Sequence, residues 1–90
     1  MSLASKPRTF AITVGTTAVR LLTSNIKRKA FLIYNNGTAT VYLISEQTLP
    51  AAKGIPIAAG ASYNNETCYG EYWIISESAD QNVRVEEDAE

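Results

Sequence analysis

Ala30-Phe31-Leu32-Ile33-Tyr34-Asn35-Asn36-Gly37-Thr38-Ala39-Thr40-Val41-Tyr42-Leu43-Ile44 is the stretch that decides the fold class. Two runs rich in β-branched and aromatic residues flank Asn35-Asn36-Gly37. Asn-Gly between such runs is a strong hairpin signal, because both residues accept positive φ. The reading therefore predicts a hairpin with arms at 30–34 and 38–44. Both arms are apolar on both faces: Phe31 and Ile33 oppose Leu32 and Tyr34, and Val41 and Leu43 oppose Tyr42 and Ile44. Strands of this kind belong between two covered faces, inside a sandwich or at a subunit contact.

Upstream, Phe10, Ile12 and Val14 alternate with polar or small residues, the period of a half-buried strand. Gly15-Thr16 breaks that run, and residues 18–22 form a second extended segment with Arg20 on its polar side. Ser24-Asn25 and Lys27-Arg28-Lys29 read as loops. Downstream, residues 46–54 contain Pro50, Lys53 and Gly54 and read as a long surface loop. Ile55-Pro56-Ile57 is a short strand that Pro56 confines to an edge, and residues 58–61 turn the chain. Residues 69–76, dense in aromatic and β-branched side chains, suit a central or interface strand. Turn residues at 78–82 precede Val83-Arg84-Val85, a last strand expected to end at Glu86. The organisation that follows is a flexible N-terminal arm over residues 1–7, one domain over residues 8–86, and an acidic mobile tail over residues 87–90. Turn signals every 8 to 12 residues or so, and no helical period, indicate an all-β fold. It is a single small β-sandwich or jelly-roll-like barrel of about seven to eight short antiparallel strands.

Composition narrows the function. The 90 residues include no His and one Cys. A Ser-His-Asp triad, a His general base and a His-containing zinc site are thereby excluded, and so is an intrachain disulfide. A chain of this length removes only roughly 60–65% of its unfolded surface from water, so neighbouring copies would add useful burial. No run approaches the ~18 apolar residues of a membrane span, and no secretory start is recognisable, so membrane association and export are not expected. Asn36-Gly37-Thr38 and Asn65-Glu66-Thr67 match the glycosylation pattern by chance on that reading. The formal charge of -1 conceals an asymmetry: residues 1–45 carry six basic and no acidic side chains, residues 46–90 two basic and nine acidic. The two halves either interleave within one sandwich or meet between copies, a basic loop of one against an acidic end of the next.

The candidate sites are surfaces rather than clefts. Lys27, Arg28 and Lys29 form the densest basic cluster, open to three readings: a solvated loop, a protein contact or a nucleic-acid contact. The net charge and the lack of an aromatic platform beside the cluster argue against nucleic acid. Tyr72 and Trp73 are adjacent on a strand and must face opposite sides. The outward one is an anchor for a subunit or partner contact, and Tyr34 and Tyr42 pose the same question. Glu66 and Glu71 are too ordinary to form an acid/base pair. Cys68 has no base near it in sequence and reads as a small buried hydrophobe. No catalytic, cofactor-binding or metal-ligating set emerges, and the protein is not expected to be an enzyme.

Thr13-Val14-Gly15-Thr16-Thr17-Ala18-Val19-Arg20-Leu21-Leu22, the run from Arg28 to Leu43, Gly54-Ile55-Pro56-Ile57-Ala58-Ala59-Gly60, Tyr69-Gly70-Glu71-Tyr72-Trp73-Ile74-Ile75 and Val83-Arg84-Val85-Glu86 occur in that order. Together they resemble small structural proteins of tailed bacteriophages, of the head decoration or capsid stabilisation type. The pattern departs from that type at Ile44-Ser45, where a Gly often follows the second arm. The resemblance implies a non-enzymatic virion component made in the host cytoplasm. It would bind the major capsid protein on the shell exterior, usually as a homotrimer, without cofactor, nucleic acid or membrane. The alternative from another class is a carbohydrate-binding module on a tail or baseplate, with Trp73 as a stacking platform.

Overall fold

The computed structural model describes residues 6–65 and 70–89. Eight strands follow one another: β1 (Lys6–Val14), β2 (Val19–Leu22), β3 (Arg28–Asn35), β4 (Val41–Ile44), β5 (Ile55–Ile57), β6 (Ser62–Asn65), β7 (Tyr72–Ser76) and β8 (Gln81–Ala89). They form two four-stranded antiparallel sheets, ordered β1-β8-β3-β6 and β2-β7-β4-β5. Successive strands jump from one sheet to the other except at β4–β5, which is the wrapping of a jelly roll. The all-β reading, with a small two-sheet jelly roll, is thus what the chain adopts.

The core lies where the alternating faces meet. Val14, Phe31, Ile33, Val83 and Val85 project from the first sheet, and Leu22, Val41, Leu43, Ile57 and Ile74 from the second, all buried. At one end Phe31 meets Tyr63 and Tyr72, with ring centroids 6.1 and 5.1 Å apart in tilted pairs, an arrangement aromatic quadrupoles favour.

The Asn35-Asn36-Gly37 segment is not the turn of a hairpin. β3 and β4 belong to different sheets, and the segment is a corner between them. A type I′ turn needs positive φ at both central residues, but among the described residues only Asp80 (59°) and Gly60 (80°) have positive φ. The Asn35 side chain is fully buried and supplies the bonds that a ladder would have made. Its Nδ2 donates to the carbonyls of Ala39 (2.8 Å) and Ile57 (2.9 Å), and its Oδ1 accepts from the Gly37 amide (2.9 Å). Gln81 completes the corner, its Oε1 accepting from the amides of Thr38 and Ala39, both at 2.8 Å. Local chemistry placed the bend correctly; a buried amide pointing across the sandwich decides that it links two sheets.

Other boundaries move for similar reasons. The acidic tail expected at 87–90 is strand through Ala89, because β8 pairs on one side with β1 and on the other with β3. Lys6 and Pro7, expected in a flexible arm, open β1 opposite Ala89 and Asp88. Residues 1–5 and Glu90 lie outside the described residues, as do Glu66, Thr67, Cys68 and Tyr69, and with them the readings of Cys68 and of a Glu66–Glu71 pair. The arm expected over 38–44 is ladder only from Val41. β6 has no apolar alternation and was invisible in the sequence; Ser62–Asn65 becomes a strand by pairing with β3. β5 is an edge strand, as Pro56 requires. The 46–54 loop holds one 3-10 turn, Ala51–Lys53. The turn's exit packs on the outer side of β4: a Cβ on Gly54 would lie 2.9 Å from Ile44 Cγ2, the Leu43 carbonyl and Tyr42 Cβ. This cover explains why Ile44, which faces away from the core, is nevertheless buried.

Candidate functional site

The residues singled out in the sequence are dispersed over the molecule. Trp73 and Tyr42 share the outer face of the second sheet, where the cross-strand rows are Arg20–Trp73–Ile44 and Ile75–Tyr42–Pro56. Tyr72, as period two requires, faces inward onto Phe31. Tyr34 lies on the opposite outer face, between Arg84 and Ser62, and is 38% exposed. Lys27 and Lys29 are exposed at one end of the sandwich.

Arg28 is not a surface charge. The residue is 2% exposed, and its guanidinium is held on every side. Nε donates to Glu87 Oε2 at 2.7 Å, Nη1 to the Gly70 carbonyl at 2.9 Å and Nη2 to the Thr23 carbonyl. Glu87 accepts a second time through Oε1, from Arg8 Nη2 at 2.7 Å. Burial raises the Glu87 carboxyl pKa, but the hydrogen bonds and positive charges of Arg8 and Arg28 outweigh it and hold the group below the ordinary glutamate range. The cluster Lys27-Arg28-Lys29 is therefore one internal strut between two solvated lysines.

The aromatic face of the second sheet is organised by charge. Trp73 Nε1 donates to Glu71 Oε2 at 2.6 Å, Arg20 Nε lies 3.5 Å from the same oxygen, and the Arg20 guanidinium sits 5.3 Å from the Trp73 ring centroid. Tyr42 donates to Glu77 Oε1 at 3.3 Å. Its hydroxyl pKa is pushed up by desolvation first, then by the Glu77 charge and the hydrogen bond. These contacts fix both rings in place. Glu71 is thus occupied as an aromatic clamp, and each ion pair at Arg8, Arg20 and Arg28 joins the basic half of the sequence to the acidic half. Interleaving within one sandwich is what these pairs show.

Two apolar side chains that no sequence pattern marks stand exposed. Ile26, at the tip of the loop before β3, is 87% exposed, and Leu32 on the outer face of the first sheet is 37% exposed. Leu32 borders a shallow open hollow of about 490 Å³ shared with Phe10, Ala11, Arg84 and Glu86. Among the described residues no three acidic or cysteine side chains stand close enough to hold a metal ion.

No family model matches the chain, and no curated protein matches it either. Among solved structures, a chain from Bacillus endospore appendages, described as forming a novel family of disulfide-linked pili, is similar over 96% of this chain and 86% of its own. The TM-score is 0.62 at 17% identity. At that identity the likeness is one of fold alone.

Proposed function

We propose that this chain is a non-enzymatic structural subunit that works by docking its outer surfaces within a larger assembly. The observation that carries this reading is the outer face of the second sheet, where Trp73, Ile75, Tyr42 and Pro56 form an aromatic and apolar band, its two rings fixed by Glu71, Arg20 and Glu77. Rigid aromatic groups in a surface band are the usual anchors of protein contacts. The sequence resemblance makes the exterior of a tailed-phage capsid the assembly to test. There, contacts across subunit junctions would oppose opening of the shell by linkage.

The fold neighbour builds an appendage, a role compatible with a building block, but its covalent linkage does not transfer. This sequence has one cysteine, which closes one disulfide and joins two copies, never a continuous chain of them. The carbohydrate reading has less support, because Arg20 already stacks over Trp73. Co-sedimentation with undecorated mature capsids tests the proposal. Binding that raises the temperature of capsid disruption, and that Trp73→Ala weakens, is the expected result; no binding at any concentration overturns the capsid assignment.

A further inference from the structure

The four edges of the two sheets are unequal. β5 is three residues long with Pro56 in its middle, β2 is four residues with a register shift after Arg20, and the described part of β6 is four residues. Short strands, proline and irregularity are the devices that stop an edge from pairing with another chain. β1 is nine residues long, regularly paired with β8 throughout, and unpaired on its other side among the described residues. From Thr9 to Val14 it contains no charge, proline or glycine. Every second residue of this stretch turns its N–H and C=O away from β8.

The core is also incomplete at this edge. Phe10 and Ile12 face inward opposite Val85 and Val83, yet they are only partly buried while those two partners are 2% and 0% exposed. A strand added outside β1 would cover both. We propose that this strand is β1 of a second copy, paired antiparallel about a two-fold axis through Ala11. The segment is self-complementary in that register. Ala11 meets Ala11 of the second copy, Phe10 meets its Ile12, Thr9 its Thr13 and Arg8 its Val14. Aromatic with β-branched and Thr with Thr are favourable cross-strand pairs, and no like charges oppose one another. Inward residues meet inward residues, so the two first sheets join into one continuous sheet. The contact is isologous and closes at two, unlike the trimer that the phage resemblance implies. It stands apart from the capsid reading, since self-association and capsid binding are measured separately.

Solution mass over a concentration series tests the inference. Wild type is expected at twice 9.8 kDa, dissociating on dilution. Ala11→Lys brings two lysines face to face at the axis and should weaken the dimer by at least about tenfold. Ala11→Glu should do the same, and an equimolar mixture of the two variants should restore the dimer. Ala11 is exposed in the single copy, and Trp73 fluorescence on the other sheet reports that each variant is folded. The double variants Thr9→Lys/Thr13→Lys and Thr9→Glu/Thr13→Glu, each of which sets like charges opposite one another across the same axis, form a second pair should either Ala11 variant misfold. A monomer at every concentration, a trimer mass, or a dimer indifferent to these charges would overturn the proposal.

Discussion

Glu87 is engaged by arginines at both its oxygens, and one of the two, Arg28, has a side chain with no exposure. Truncating one partner of a buried ion pair leaves the other charge without compensation, so Glu87→Ala is expected to cost about 3–5 kcal/mol in urea unfolding. The sign of the pH dependence follows from the lowered carboxyl pKa. Stability contributed by the charged group is fully present above the ordinary value of 4.5 and is lost as pH falls through the lower folded value. The stability gap between wild type and Glu87→Ala should therefore narrow as pH drops below 4.5. A gap constant to pH 2 would show that Glu87 acts by packing alone. Nothing local in Lys27-Arg28-Lys29 distinguishes the middle residue. Its partner is 59 positions away, and only a guanidinium can reach the Glu87 carboxylate and the Thr23 and Gly70 carbonyls together.

Among the elements, the corner after β3 and the turn over β4 are where the chain commits to its topology. Asn35→Ala leaves the part-buried carbonyl of Ala39 and the buried carbonyl of Ile57 without that donor, and a loss of about 2–4 kcal/mol is expected in thermal or chemical unfolding. A cost near zero would mean that the corner is held by backbone bonds alone. Gly54→Ala places a methyl against the Leu43 carbonyl, which cannot give way as a flexible side chain would; about 1–3 kcal/mol of destabilisation follows. Gly15→Ala meets nothing within 4 Å and serves as the neutral control, expected within about 0.5 kcal/mol of wild type. The strands themselves were readable wherever period two ran uninterrupted, as from Phe10 to Val14. Polar Ser62–Asn65 was not, because an edge strand with one inward aromatic is specified by its neighbour rather than by its own pattern.

At the scale of the whole molecule, the first and last strands pair along their full length, Lys6 beside Ala89, and among the described strands only β4 and β5 are neighbours in both sequence and sheet. Loop closure over such separations must precede most of the pairing that repays it, so refolding is expected in milliseconds to seconds by stopped-flow Trp73 fluorescence. Microsecond folding would contradict the topology. Because β8 lies between β1 and β3, its pairing holds the first sheet together, and a chain cut before Gln81 should not fold. The sequence alone determined the all-β class, the positions of most strands and bends, and the exclusion of histidine chemistry, because side-chain alternation, turn residues and residue counts are local properties. Tertiary structure alone decided which strands share a sheet, that Asn35 turns a corner instead of closing a hairpin, that Arg28 and Glu87 are interior, and that β1 is the open edge. Each depends on contacts between residues distant in the chain, where burial and hydrogen-bond satisfaction outweigh local preference.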